Sequence, residues 1–483
     1  MRYIAISKII GLFLVLFSVS MLPPIAINAI YHQLSSKAFY IAFLVTLLSG
    51  LVLWLPFLKR RIEVKVREGF IIVVLFWVVL SLFGALPFIL SPHPHLSFTD
   101  AFFESISGLT TTGASVIFHI DALPRSVLFY RQELQFIGGM GIIVLAVAIL
   151  PMLGVGGMQL FRAETPGPIK DAKLTPRIQE TAKTLWFIYI GLVVLCAFFY
   201  WLFGMNLFDA VGESFATIST GGFSMHDSSF GYYNNHLINS AGAVFMILGA
   251  TNFALHFKVL RTRSIRLYFK DIEFKTFIWI LFFISLITII VLLINEYYLN
   301  PLDTVVNSIF NVVSLMTTTG FVSSSFAYWP TFLPILIMLI AIIGGCAAST
   351  SGGIKVMRLV LLAKQSNREM SRLIHPNGVF AIKFGKQVLP EYIVEAIWGF
   401  ISIFFVLFSI FILLLMATGM DFETAFGSVV ATLANAGAGI AGVSDSFEQI
   451  GDFSKWILVF AMLLGRLELF TILVLFSPQF WRK

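Results

Sequence analysis

The chain has 483 residues, of which 58% are hydrophobic and only 12% charged, with 51 phenylalanines and a formal net charge of +7. No soluble assembly of domains can bury that much apolar side chain. The positive balance does not call for a nucleic acid, because the Lys and Arg residues fall in short loops between apolar runs. Several of those runs, such as Ile71 to Leu90 and Phe277 to Ile294, reach the roughly 18 residues that cross a bilayer as a helix. The expected class is an all-α polytopic membrane protein.

Residues 1–68 supply two plain spans, near 5–30 and 38–58. The first is too long for a cleaved signal peptide, lacks a clear A-x-A site and is followed at once by another span. Loops 59–68, 162–183, 258–275 and 355–391 hold most of the 32 Lys and Arg residues, and the positive-inside rule puts them in the cytoplasm. Both termini then fall inside. Cys196 and Cys346 lie in separate apolar segments and are expected as free thiols.

Beyond residue 68 the chain repeats itself four times, at intervals of roughly one hundred residues. Each unit reads as a full span (M1), an apolar segment too short to cross (P), a loop of small residues with one glycine, and a second full span (M2). The units are 69–182, 183–275, 276–390 and 391–483, and their equivalent glycines are Gly113, Gly222, Gly320 and Gly437. Ten crossing helices and four re-entrant half-helices result. Asp100, Asp209, Asp303 and Asp421 lie near the start of each short segment, where an acid caps free N–H groups and faces the positive end of the helix dipole.

Irregular backbone cannot face lipid, so the four loops must surround a polar space inside the protein. A half-helix ending there aims its carbonyl end at that space, which favours a cation. The residues that follow are Thr111, Thr112 and Gly113; Thr220, Gly221 and Gly222; Thr318, Thr319 and Gly320; Asn435, Ala436 and Gly437. These small residues let successive carbonyls ring an ion in place of its water, the basis of potassium selectivity. Calcium would call for carboxylates, and the loops hold none.

The fourfold plan, with "QFIGGMGIIVLAVAILP" from Gln135, "GGCAASTSGGIK" from Gly344 and "GRLELFT" from Gly465, resembles the TrkH, TrkG and KtrB family of bacterial potassium uptake proteins over essentially the whole chain. The extra N-terminal pair is more similar to the Trk branch. The resemblance implies a pseudo-fourfold pore in the bacterial inner membrane, K+ at the loop residues above, a homodimer, and a cytoplasmic nucleotide-binding regulator of the TrkA type.

Two features exceed a plain pore. The run 344–353, with Gly344, Gly345, Gly352 and Gly353, interrupts the third M2 span; it is either a packing kink or a loop bulging beneath the glycine loops, where the resemblance implies a gate. Lys355 is placed to anchor its cytoplasmic end. Arg466 lies inside the last span and must face the interior, either tying pore helices together or standing by the ion path against residues 344–353. The resemblance favours the second. A gate below the loops is expected to open without changing ion preference.

His93 and His95 lack companions for a transition-metal site, and no Walker, GxSxG or HExxH motif is present, so neither an enzyme nor a bound organic cofactor is expected. A cation-coupled secondary transporter of a small solute is the alternative. Such proteins use paired inverted repeats, whereas here every repeat starts on the same side.

Overall fold

The computed structural model describes residues 3–32, 36–60, 66–144, 177–385 and 387–482. Among the described residues six helices are long and apolar enough to cross a membrane unbroken: Tyr3–Tyr31, Lys37–Phe57, Arg67–Leu90, Lys183–Leu202, Ile272–Ile294 and Glu391–Ala417. The first two are the N-terminal pair and the other four are the M1 spans. Their uniform hydrophobicity lets them carry large side chains on the lipid-facing side, as with the exposed Trp279, Phe282 and Phe283.

The four short P helices are Phe98–Leu109, Leu207–Ser219, Pro301–Met316 and Phe422–Leu433. Only Asp421 is an N-cap, accepting from Thr424 N at 3.0 Å. In the other three repeats Ser97, Asn206 and Asn300 cap the helix, because each lies three residues before the acid, at the position from which a side-chain oxygen reaches the first free N–H groups. Asp100 and Asp209 sit in the first turn and accept a bond back from their cap, Ser97 Oγ at 2.8 Å and Asn206 Nδ2 at 2.6 Å. Two first-turn acids also join neighbouring repeats. Asp303 receives His236 from the second M2 at 3.1 Å, and Asp100 receives Lys455 from the fourth M2 at 2.6 Å.

The M2 segments differ from the expected full spans. In repeat 2, His236–Gly249 and Phe253–Thr262 meet at 96°; in repeat 4, Asp452–Arg466 and Phe470–Phe476 meet at 116°. In repeat 3, Leu333–Ile343 stops at Gly344 and the chain resumes as a helix only at Val356–Ile374. The causes are local. Asn252 caps the lower helix of repeat 2, accepting from Ala254 N, while Glu468 and Leu469 turn the fourth segment with φ of 53° and 36°. The first M2 is described as Arg125–Val144, and the remainder of "QFIGGMGIIVLAVAILP", like most of loop 162–183, lies outside the described residues. A small antiparallel hairpin, Lys383–Phe384 with Gln387–Val388, lies in basic loop 355–391.

Candidate ion-conducting site

All four P helices end in the same way. The residue two before each glycine is left-handed, with φ of 49° at Thr111, 51° at Thr220, 56° at Thr318 and 52° at Asn435. The next N–H reaches back five residues in a bond of 2.8 Å: Thr112 to Ser107 O, Gly221 to Ala216 O, Thr319 to Ser314 O and Ala436 to Ala431 O. This is a helix-stopping turn that usually employs glycine. A β-branched threonine in that conformation costs about 1–2 kcal/mol, and its threefold use marks a strained, over-determined site.

The glycines then take φ of 84°, 81°, 84° and 71° in chain order. A Cβ at Gly113 would overlap the carbonyl oxygen of Gly221; one at Gly222, that of Thr319; one at Gly320, that of Ala436; and one at Gly437, that of Thr112. Each loop thus lies against the next and the fourth returns to the first. The loops form a closed ring, as the fourfold pattern predicts. Gly113, Gly222 and Gly320 are half-buried, whereas Thr111, Thr112, Thr220, Gly221, Thr318, Thr319, Asn435 and Ala436 are buried. Gly437 is buried, so three of the four glycines border accessible space within a packed collar.

Polar residues of the first M2 and of the P helices hold the collar. From the first M2, Gln135 donates Nε2 to Gly221 O at 2.6 Å and accepts from Phe223 N, while Gln132 donates to Phe223 O at 2.7 Å. Arg131, only 1% exposed, meets Glu104 at 2.8 Å, Ser224 O at 3.2 Å and Ser115 Oγ at 3.0 Å, and lies over the Phe223 ring at 4.3 Å. Glu104 also accepts from Val116 N, and Glu213 accepts from Ser224 Oγ and Met225 N in the second repeat. Asn311 does the same for Ser323 N in the third. The P helices thereby fasten the strand leaving each of these three loops. The cue in the sequence is a polar cluster, "RQELQ", inside an apolar span.

On the other side of the ring, residues 344–355 form a compact loop rather than a kink. Its ends meet through Ile354 N to Ile342 O at 2.9 Å and Lys355 N to Ile343 O at 2.8 Å. Its tip touches three glycine loops. Gly352 N donates to Thr318 Oγ1 at 2.6 Å, Thr220 Oγ1 to Thr350 Oγ1 at 3.2 Å, and Gly353 N to Ala434 O at 3.0 Å. Gly344 and Gly353 take φ of 76° and 74° and pack against each other, while Gly345 and Gly352 press on Ala250 and Ala434. Lys355 Nζ donates to Ser351 O within the loop. Glu273 is an anchor that sequence reasoning misses: its Oε1 accepts from Ala347 N at 2.6 Å and Met357 N at 3.2 Å.

Arg466 is buried at the end of the upper helix of the fourth M2, just before the bend. Its Nε and Nη2 have no hydrogen-bond partner among the described residues, and no bond there joins it to residues 344–353. The neighbouring acid is the one that reaches the third repeat. Glu468 pairs with Arg358 at 2.8 Å, and Arg358 lies over the Phe400 ring at 4.1 Å. Among the described residues no three His, Cys, Asp or Glu groups converge on a metal, His93 and His95 included. Cys196 and Cys346 are both free and buried.

A family model described as "TrkH: Cation transport protein" matches residues 35–483. The chain is 53% identical to the Trk system potassium uptake protein TrkH of Escherichia coli K12, over the full length of both. Identity to the Trk system potassium uptake protein TrkG of the same organism is 39%, covering 99% of this chain and 98% of that one. The crystal structure of the potassium transporter TrkH from Vibrio parahaemolyticus superposes with a TM-score of 0.92 at 48% identity, covering all of both chains. With its four M1-P-M2 units, its ring of glycine loops and these matches, the chain belongs to the TrkH family of cation transport proteins.

Proposed function

We propose that this protein takes up potassium through a channel-like pore across the bacterial inner membrane, with both termini cytoplasmic. The observation that carries the reading is the closed contact of Gly113, Gly222, Gly320 and Gly437, each with the loop of the next repeat. Four carbonyl-rich loops at one level can replace the hydration shell of a monovalent ion, and no carboxylate belongs to the loops themselves. Residues 111–113, 220–222, 318–320 and 435–437 are the selectivity filter in this reading, and units 69–182, 183–275, 276–390 and 391–483 are its four quarters. Residues 344–353 are the gate, supported by their bonds to Thr318, Thr220 and Ala434 O. Arg466 adds a buried positive charge near the path.

The relatives are named as components of a Trk system, which supports a multi-component complex. A TrkA-like nucleotide-binding subunit docks on the cytoplasmic loops 162–183 and 355–391 in this reading, and the transporter is a homodimer without an organic cofactor. The experiment is tracer uptake of Rb+ and Na+ by a bacterium lacking its own potassium uptake and expressing this chain, with and without a TrkA-like subunit. Uptake that prefers Rb+ and depends on the subunit is the expected result; no uptake, or equal entry of Na+, refutes it.

A further inference from the structure

Between repeats 2 and 3, on the side where the P helices begin, a half-open polar cavity of about 150 Å³ is lined by His236, Asn239, Tyr298, Asp303, Asn307 and Ser323 among others. Two of its lining groups are buried without a partner. Among the described residues Asn239 Oδ1 and Ser323 Oγ find no hydrogen-bond partner, although the two residues are only 5% and 9% exposed. Buried polar atoms are rarely left so unless a water or ion completes them. Asp303 supplies the one carboxylate, held at 3.1 Å by His236 Nε2. His236 and Asn239 are three apart on one helix and so share a face.

We propose that this cavity is an outer accessory site for a partly hydrated monovalent cation, held by Asp303 and the side-chain oxygens of Asn239 and Ser323. The donor chemistry selects the charge type. The unsatisfied atoms are oxygens and the acid makes the cavity attractive to cations, but a Ca2+ site draws on several carboxylates and this one has a single acid. The volume accommodates an ion with a few waters, each needing about 30 Å³. The site also touches the transport path. Ser323 lies three residues beyond Gly320, its N–H bonds Asn311 Oδ1 at 3.2 Å, and Gly231 N donates to the adjacent Val322 O at 3.2 Å. An ion there steadies the strand leaving the third glycine loop. The identity of the ion as potassium rests on the uptake reading above.

Crystals of the full chain grown in Rb+ in place of K+ test the site by anomalous scattering. The expected result is a cavity peak within about 3 Å of Asn239 Oδ1, lost in Asn239→Leu and in Asp303→Asn, with the peak at the glycine ring retained. A ring peak beside an empty cavity overturns the proposal, and so does a cavity peak that survives both substitutions. Occupation by Ca2+ but not Rb+ overturns the monovalent assignment. A cavity peak without a ring peak supports this site while refuting the filter. As a second readout, Rb+ uptake into vesicles by Asp303→Asn should half-saturate at about threefold higher external Rb+ with an unchanged maximum, the pattern of lost ground-state binding. An unchanged half-saturation in both Asp303→Asn and Ser323→Ala refutes it.

Discussion

Arg131→Met removes the cation that joins the first two glycine loops from outside. In the native protein the guanidinium makes three bonds, to Glu104, Ser224 O and Ser115 Oγ, and covers the Phe223 ring. Methionine fills much of the volume but leaves the Glu104 carboxylate, 0% exposed, with only Ser115 Oγ and Val116 N. Breaking a buried pair in this way costs about 3–5 kcal/mol, mostly through the charge left behind. Neutralising that charge should therefore restore stability. The double variant Arg131→Met/Glu104→Gln is expected to be more stable than the sum of the single changes implies, with a coupling of about 1–3 kcal/mol. Unfolding of the purified full chain in mixed detergent micelles measures all four corners of the cycle. Because Gln132 and Gln135 still hold residues 221–223, uptake should persist with a reduced preference for Rb+ over Na+. A single-variant cost under about 1 kcal/mol, as for an exposed pair, or strict additivity refutes the reasoning.

The four ring glycines combine a positive φ with close contact to the carbonyl of the next loop. Ala at Gly113, Gly222, Gly320 or Gly437 adds about 1–2 kcal/mol of backbone strain and overlaps the next loop, so Rb+ over Na+ discrimination should fall, while Gly191→Ala, with nothing within 4 Å, leaves it unchanged in the same uptake assay. Arg466→Ala should raise Rb+ flux in vesicles lacking the regulator with ion preference intact. Shortening 344–353 should raise flux and also weaken preference, because the loop tip bonds Thr220 and Thr318; an unchanged preference would separate gate from filter, as the sequence alone suggests. On the side where the P helices begin, His226 bonds Asp121 at 2.5 Å and Asp209 at 3.1 Å, joining repeats 1 and 2, and stacks on Tyr232, with Asp227 and Glu213 also near. Burial opposes its charged form, but the bonds to Asp209 and Asp121 prevail and raise its pKa above the ordinary value. A raised pKa means that the clamp acts fully below the unperturbed value of about 6.5 and is lost as pH rises through the raised one. The thermal midpoint should fall across that window, and His226→Gln should flatten the profile.

Length and hydropathy alone determined the N-terminal pair, the M1 spans and the four short helices, and the recurring small-residue loop marked the four equivalent glycines. These are properties of contiguous residues: a bilayer sets the length of an apolar helix, and a small-residue loop after a half-helix has few uses in lipid. The capping of the P helices was legible only in part, since Ser97, Asn206 and Asn300, each three residues before the aspartate, compete with it for the cap. Tertiary structure decided the remainder. Whether the loops close into a ring depends on contacts such as Gly437 with Thr112, more than three hundred residues apart. The bends of the M2 spans are similar, because an apolar composition is equally content in one long helix or two short ones. Their angles of 96° and 116° follow from an Asn cap and two left-handed residues stabilised by neighbours. Arg131 and Gln135 read in the sequence as a polar cluster inside an apolar span, and Glu273 as one charge among several at the start of another, with no partner indicated for any of them. Only the fold brings each to the backbone groups of another repeat or loop, where burial makes an unpaired polar atom costly and so fixes one arrangement.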